Sequence, residues 1–318
     1  MQYEKIFDAN VKPAGVTAAR SAASVRGDRR DGRVYVYTEE IELAVNVALA
    51  TSRPLLVRGP SGAGKSSLAQ SVAFIQGWRY YEEVVSSRTQ AQDLLWRFDA
   101  VVRLSDALDT TKTVTSLGAY VQPGVLWWGF DRASAAKRGI EMEETSLLPD
   151  PSIWLSDSAR AVVLIDEIDK ADPDVPNNLL VPIGSLEFNV AEIGVTVKAD
   201  EPPLVVITTN DERELPNAFV RRCVVITITA PSRARLNEIA TAHFGQDDYG
   251  VYDPIAVIVE QFASSRERRG RPTPSTAEYL DAISVCRSLG IIPGVSREWE
   301  AVVSALFEKT RRPNNGEG

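Results

Sequence analysis

Apolar residues in this chain fall into two recurring patterns. Short runs such as Leu55-Leu56-Val57, Ala161 to Asp166, Leu204 to Thr209 and Cys223 to Ile228, with the mixed run Tyr80 to Val85, are too short for helices and predict buried strands. Between and after them the apolar positions take a helical spacing. TEEIELAVNVALATS opens with Thr38 as a helix N-cap and places Glu39 and Glu40 in the first turn, where carboxylates suit the helix dipole. In the stretch 59–77, a glycine-rich turn leads into a helix with Leu68, Val72, Ala73 and Ile75 facing inward. Strands that are almost wholly apolar and alternate with helices predict a parallel sheet covered on both faces, an α/β fold.

From Pro231 the pattern changes. Segments 232–244, 254–263, 274–289 and 296–309 all read as amphipathic helices, separated by Gly250, Gly270, Pro272 and Pro293. The expected organisation is a flexible N-terminal arm over 1–33 and an α/β domain over 34–230. A small all-α domain then spans 231–310, and a polar tail 311–318. Trp127, Trp128 and Phe130 are expected to pack inward, as large aromatics do.

Composition adds limits. With 318 residues, 44% hydrophobic and 25% charged, the chain can bury a substantial core. No apolar run is long enough to span a membrane and the N-terminal stretch has no secretory pattern, so the expectation is a soluble, cytoplasmic protein. Cys223 and Cys286 lie far apart with no Cys or His close by, and the single His243 falls on a helix face, so neither a disulfide framework nor a zinc site is expected. A net charge of −8 makes nucleic acid an unlikely partner, because phosphate neutralisation dominates that affinity. Two arginine clusters (Arg20, Arg26, Arg29, Arg30 and Arg33; Arg266, Arg268, Arg269 and Arg271) are interleaved with Asp28, Asp31 and Glu267 and read as solvated segments.

Three segments carry chemistry. Gly59-Pro60-Ser61-Gly62-Ala63-Gly64-Lys65-Ser66, followed by Ser67, fits the phosphate-loop pattern and sits between a predicted strand and a helix. Gly62 and Gly64 allow the backbone to turn its N–H groups onto phosphate oxygens, and the helix N-terminus adds positive potential. Lys65 supplies a full charge to the β- and γ-phosphates, and Ser66 offers a hydroxyl to Mg²⁺, so ATP with Mg²⁺ is the expected ligand. A chance match in a chain of this length is on the order of one in a hundred from average residue usage. Next, Ala161 to Asp166 ends in Asp166-Glu167 at the carboxyl edge of the expected sheet, where open α/β folds bind ligands. Asp166 suits the Mg²⁺ shell and Glu167 suits activation of a water molecule. Finally, Leu204 to Thr209 ends in Asn210, placed to reach both the γ-phosphate and the attacking water.

This order of parts, completed by Leu215-Pro-Asn-Ala-Phe-Val-Arg221-Arg222-Cys223, resembles an AAA+ ATPase: a P-loop NTPase sheet sandwiched by helices and followed by an all-α lid. The phrases ELAVNVALATSRPLLVRGPSGAGKSSLA, LIDEIDKADPDVPNNLL and ITTNDERELPNAFVRRC resemble the MoxR group over about residues 34–290. The resemblance implies β-hairpin inserts near 95–125 and 186–198, facing the central channel of a ring, a hexamer being the expected size. It further implies Arg221 or Arg222 as an arginine finger, with Arg221 slightly favoured, and a role in remodelling or activating a protein client or a separate von Willebrand factor A domain partner. Two adjacent guanidiniums after a short helix suit charge stabilisation across an interface. Ala277 stands where many relatives carry a second sensing arginine, with Arg271 as a substitute. Two alternatives stay open: a nucleic-acid-associated motor of a restriction, defence or replication system, and a nucleotide-gated scaffold that hardly hydrolyses.

Overall fold

The computed structural model describes residues 3–11, 17–18, 32–109, 116–140, 147–267, 273–294 and 296–308. The chain divides into two compact units. The first comprises Met1–Arg33, Tyr37–Gly59 and Lys65–Thr227, and the second Val34–Val36, Pro60–Gly64 and Ile228–Gly318.

The first unit is built on five parallel strands: β1 (Leu55–Arg58), β2 (Arg79–Val84), β5 (Ala161–Asp166), β8 (Leu204–Thr209) and β9 (Val224–Thr227). Their order across the sheet is β9-β1-β8-β5-β2. Leu55, Leu56, Val57 and Val162 to Ile165 are essentially solvent-free, as strands covered on both faces require. Helices α1 (Glu39–Thr51), α2 (Lys65–Gln76), α5 (Val125–Phe130) and α7 (Asp174–Ser185) belong to this unit. Thr38 caps α1, its hydroxyl accepting from the Ile41 N–H, with Glu39, Glu40 and Glu42 in the first turn. Gly129 of α5 lies so close to β5 that a Cβ there would fall 2.4 Å from a Val163 methyl. Trp127, Trp128 and Phe130 are buried in the same core, with Phe188 edge-on to Trp127.

Besides the two-residue pairing of Thr17–Ala18 with Trp154–Leu155, two antiparallel pairs stand outside the main sheet. In the first, β3 (Trp96–Phe98) pairs with β4 (Val121–Pro123); in the second, β6 (Glu187–Val190) pairs with β7 (Val195–Lys198). The segment 95–125 is therefore more than a hairpin: short helices α3 (Ala91–Leu95) and α4 (Ala100–Leu108) flank β3. Asp99 starts α4 by accepting from the Val102 N–H, and no residue of α4 is buried. Helices α6 (Arg132–Ala136) and α8 (Asn217–Val220) complete the unit.

The N-terminal stretch, expected as a flexible arm over 1–33, is anchored in its described part over 3–11. Phe7 is fully buried, and Asn46 of α1 clasps it: Oδ1 accepts from the N–H groups of Ile6 (2.7 Å) and Phe7 (2.9 Å), and Nδ2 donates to the Phe7 carbonyl (2.8 Å). Lys5 pairs with Glu42 at 2.8 Å. One buried aromatic with three hydrogen bonds outweighs the polar composition of the stretch. Residues 12–16 and 19–31, including four arginines of the N-terminal cluster, lie outside the described residues, as do Arg268, Arg269, Arg271 and the tail 311–318.

The second unit is helical: α9 (Arg233–Phe244), α10 (Tyr252–Glu267), α11 (Thr276–Leu289) and α12 (Arg297–Val303), the last continuing into a wide turn over Ser304–Glu308. Its core gathers Leu236, Ala240, Ile255, Tyr279, Ile283, Trp299 and Phe307. Ser275 and Glu278 form a reciprocal capping box at the start of α11, and Gly290 ends that helix in the left-handed region.

Candidate nucleotide site

Positive φ angles at Gly59, Gly62 and Gly64 shape the loop between β1 and α2, and the Ala63 N–H closes a turn onto the Pro60 carbonyl. Gly62 has a second constraint. Within the second unit, a Cβ there would lie 2.5 Å from the Ser275 Cβ and 3.7 Å from the Ala277 Cβ. Of the expected loop residues, Pro60 and Ser61 are exposed, while Gly59, Gly62, Ala63, Gly64, Ser66 and Ser67 are half-buried.

Lys65 opens α2 and is buried. Its Nζ donates to the Gly59 carbonyl at 2.8 Å and to Asn210 Oδ1 at 2.6 Å. Burial lowers its pKa from the ordinary lysine value; Asp166, Asp169, Glu167 and Asp211 oppose that shift. Ser66 Oγ donates to both carboxylate oxygens of Asp166, at 3.0 and 2.9 Å. Asn210 Nδ2 faces Glu167 Oε1 at 3.5 Å. The structure thus brings Lys65, Ser66, Asp166, Glu167 and Asn210 together from the ends of β5 and β8 and the start of α2.

Three further residues, not singled out by the sequence, set this cluster. Thr208, fully buried on β8, donates through Oγ1 to Asp166 Oδ1 and accepts the Glu167 N–H at 2.9 Å. Glu167 adopts a left-handed backbone conformation (φ 59°, ψ 48°) as the chain leaves β5, at a cost on the order of 1–2 kcal/mol for a residue with a Cβ. Asp169, buried two residues on, accepts the N–H groups of Asn210 and Glu212 through Oδ2, both at 3.1 Å. Arg58, at the end of β1, approaches Asp211 at 3.7 Å. Only Thr208 carried a sequence signal, a hydroxyl inside an apolar run; the roles of the others depend on the fold.

Arg221 and Arg222 follow α8 and are exposed, and no hydrogen bond ties either to the cluster among the described residues. Arg53 fixes their backbone, donating to the carbonyls of Arg221 and Arg222. The Arg222 guanidinium reaches the Leu180 carbonyl at 3.3 Å, whereas that of Arg221 makes no hydrogen bond or ion pair with any described residue.

The donor set fits a hard divalent cation and a polyphosphate. Ser66 and Asp166 present adjacent oxygen donors of the kind Mg²⁺ takes. Among the described residues no group of three or more His, Cys, Asp or Glu could hold a metal, and no helix is long and apolar enough to cross a membrane.

Residues 54–223, more than half of the chain, match the model of the AAA domain, dynein-related subfamily. No curated protein matches the chain. Among solved structures, it is similar to the Thermotoga maritima RuvB P216G mutant, with 14% identity, TM-score 0.47, and 86% of this chain and 71% of that chain covered. It is also similar to the Thermotoga maritima RuvB Holliday junction branch migration motor (14%, 0.44, 85% and 70%) and to a candidate ATPase of Cytophaga hutchinsonii (14%, 0.44, 87% and 83%). At that identity and those scores, the likenesses bear on neither activity nor partner.

Proposed function

Because the chain belongs to the dynein-related subfamily of AAA domains, we propose that it hydrolyses ATP with Mg²⁺ as a ring of identical subunits, six in number, and uses the cycle to remodel or activate a protein partner. The observation that carries the reading is the side-chain cluster at the strand ends, where Lys65 meets Asn210 and Ser66 meets Asp166. When bound, Mg²⁺-ATP supplies the phosphoanhydride and the neutralising cation, with Ser66 and Asp166 as the residues that would hold the metal. The loop from Gly59 to Ser67 binds phosphate oxygens through its N–H groups, and Lys65 adds a localised charge. Glu167 accepts a proton from the attacking water at a carboxylate oxygen, and Asn210 orients that water. Thr208 keeps Asp166 and the Glu167 backbone in register.

Arg221 is the better candidate for the residue that reaches a neighbouring subunit's nucleotide, since its guanidinium engages none of the described residues while that of Arg222 contacts Leu180. Support for a MoxR-like role, with a von Willebrand factor A domain protein as partner, comes from the motif wording and from the pairs β3–β4 and β6–β7. The test is phosphate release against protein concentration. Wild type should gain specific activity steeply with concentration, and Arg221→Ala should keep ATP binding while losing turnover. Flat activity that ignores Arg221→Ala rules out the ring, and Glu167→Gln with undiminished turnover rules out the assigned hydrolysis site.

A further inference from the structure

The carboxylate assigned as the base is held from both sides. Glu167 Oε1 faces Asn210 Nδ2 at 3.5 Å, and Glu167 Oε2 accepts from Lys170 Nζ at 2.5 Å. Together with the Lys65–Asn210 bond, this makes a continuous chain: Lys65, Asn210, Glu167, Lys170. Lys170 closes the short 3-10 turn that begins as the chain leaves β5, its own N–H bonding the Glu167 carbonyl at 3.0 Å. The Glu167 main chain is fixed by Thr208, but its side chain has three rotatable bonds that Thr208 does not restrain.

An exposed ion pair contributes little to stability, and these two side chains are 42% and 26% exposed, Lys170 and Glu167 respectively. What the contact does supply is direction, because it takes up one carboxylate oxygen and leaves the other turned toward Asn210. We propose that Lys170 is a positioning residue for hydrolysis: by binding Glu167 Oε2 it holds Oε1 toward Asn210 and the water that attacks the γ-phosphate. Glu167, and behind it Glu212 and Asp169, raise the pKa of Lys170, so the ammonium stays charged at neutral pH. The assignment rests on the hydrolytic role of Glu167 proposed above.

The test compares the full-length wild type, Lys170→Met, Lys170→Arg and Glu167→Gln, measuring steady-state ATP turnover together with binding of a fluorescent ATP analogue. Lys170→Met should lower kcat by about tenfold or more, as a displaced catalytic group does, with KM and analogue affinity unchanged. Lys170→Arg, which keeps a cationic donor, should stay within about threefold of wild type. Turnover by Lys170→Met equal to or faster than wild type overturns the proposal, the faster result marking Lys170 as a brake. A loss seen only in KM, or equal loss in Lys170→Arg and Lys170→Met, overturns it too. Glu167→Gln separates the two levels. If it leaves turnover intact, the hydrolytic reading has failed; if it abolishes turnover while Lys170→Met keeps the wild-type kcat, only the role of Lys170 has.

Discussion

The strand-end cluster of the first unit and the helical second unit are held by different kinds of bond. In the cluster, side chains meet across long stretches of sequence: 145 residues between Lys65 and Asn210, 100 between Ser66 and Asp166, 42 between Thr208 and Asp166. In the helical unit many of the polar bonds are local caps, such as Ser232 on Arg235, Ser275 with Glu278 and Ser296 on Trp299, placed around an apolar core. Against Gly62 of the phosphate loop this unit places the small side chains of Ser275 and Ala277, and against Gly64 the ring of Tyr35. The difference teaches where chemistry and where stability should reside. Substitutions in the cluster should remove turnover in folded protein, whereas the helical unit should tolerate side-chain changes near the loop and give way first under denaturant.

Thr208→Val is the most severe test of that division. Valine keeps the shape on β8 but withdraws the hydroxyl that bridges Asp166 and the Glu167 N–H. Turnover should fall about a hundredfold, since small misplacements of catalytic groups cost that much. Thr208→Ser should restore most of it. Retained turnover in Thr208→Val would mean that the strand alone holds the two carboxylates in place.

Asp169→Ala should come next. Two backbone N–H groups would lose their shared acceptor, at a cost of about 1–3 kcal/mol in urea unfolding, and the segment carrying Asn210 would loosen. Turnover should drop further than the loss of stability accounts for, because Asn210 moves with that segment. A variant as stable and as active as wild type would show that Arg58 and β8 suffice.

How far these parts could be read from sequence follows from the same contrast. The strands and the phosphate loop were legible because fully buried parallel strands leave unbroken apolar runs, as at Ala161 to Asp166, and because glycines mark the turn. The N-cap at Thr38 was legible because its partner, the Ile41 N–H, is three residues away. Thr208, Asp169 and Lys170 were not singled out, since their roles arise from partners fixed only by the fold. The insert at 95–125 was read as a hairpin, yet VVRLSDAL carries helical spacing behind the Asp99 cap and forms α4. The anchoring of Phe7 escaped notice because its clasp, Asn46, sits mid-helix between two valines and reads as a solvated polar residue.

A smaller effect compares the units through their thiols. Burial pushes the Cys223 thiol up to about 12 and raises that of Cys286 as well. Since the thiolate is the reactive form, neither should alkylate in the native protein at pH 8. In increasing urea, pulse alkylation read by mass spectrometry should mark Cys286 before Cys223, because a unit with a smaller core and mostly local bonds opens more readily. The reverse order would place the weaker unit at the sheet. The same shift acts on stability with a definite sign. Between the ordinary thiol value of 9.0 and about 12 the folded state keeps a proton on Cys223 that the unfolded chain releases, so this contribution is intact below that interval and is lost as pH rises through it.

The smallest expected effect is the most informative about the helical unit. Ala277 lies at the start of α11, where its Cβ would be 3.7 Å from one built on Gly62, so a guanidinium introduced there starts beside the phosphate loop. If coupling of this unit to the nucleotide runs through the close approach of the Ser275 side chain to Gly62, Ala277→Arg should leave kcat within about threefold of wild type and tighten ATP binding by no more than a single exposed charge contributes, about 1 kcal/mol or less. Gly62→Ala then supplies the contrast. Its Cβ would meet Ser275 in a backbone conformation that side chains rarely adopt, so nucleotide binding should weaken far more than Ala277→Arg strengthens it. A tenfold or greater rise in turnover for Ala277→Arg would reverse the assignment, making a guanidinium at this position, rather than the Ser275 contact, the factor that limits the cycle.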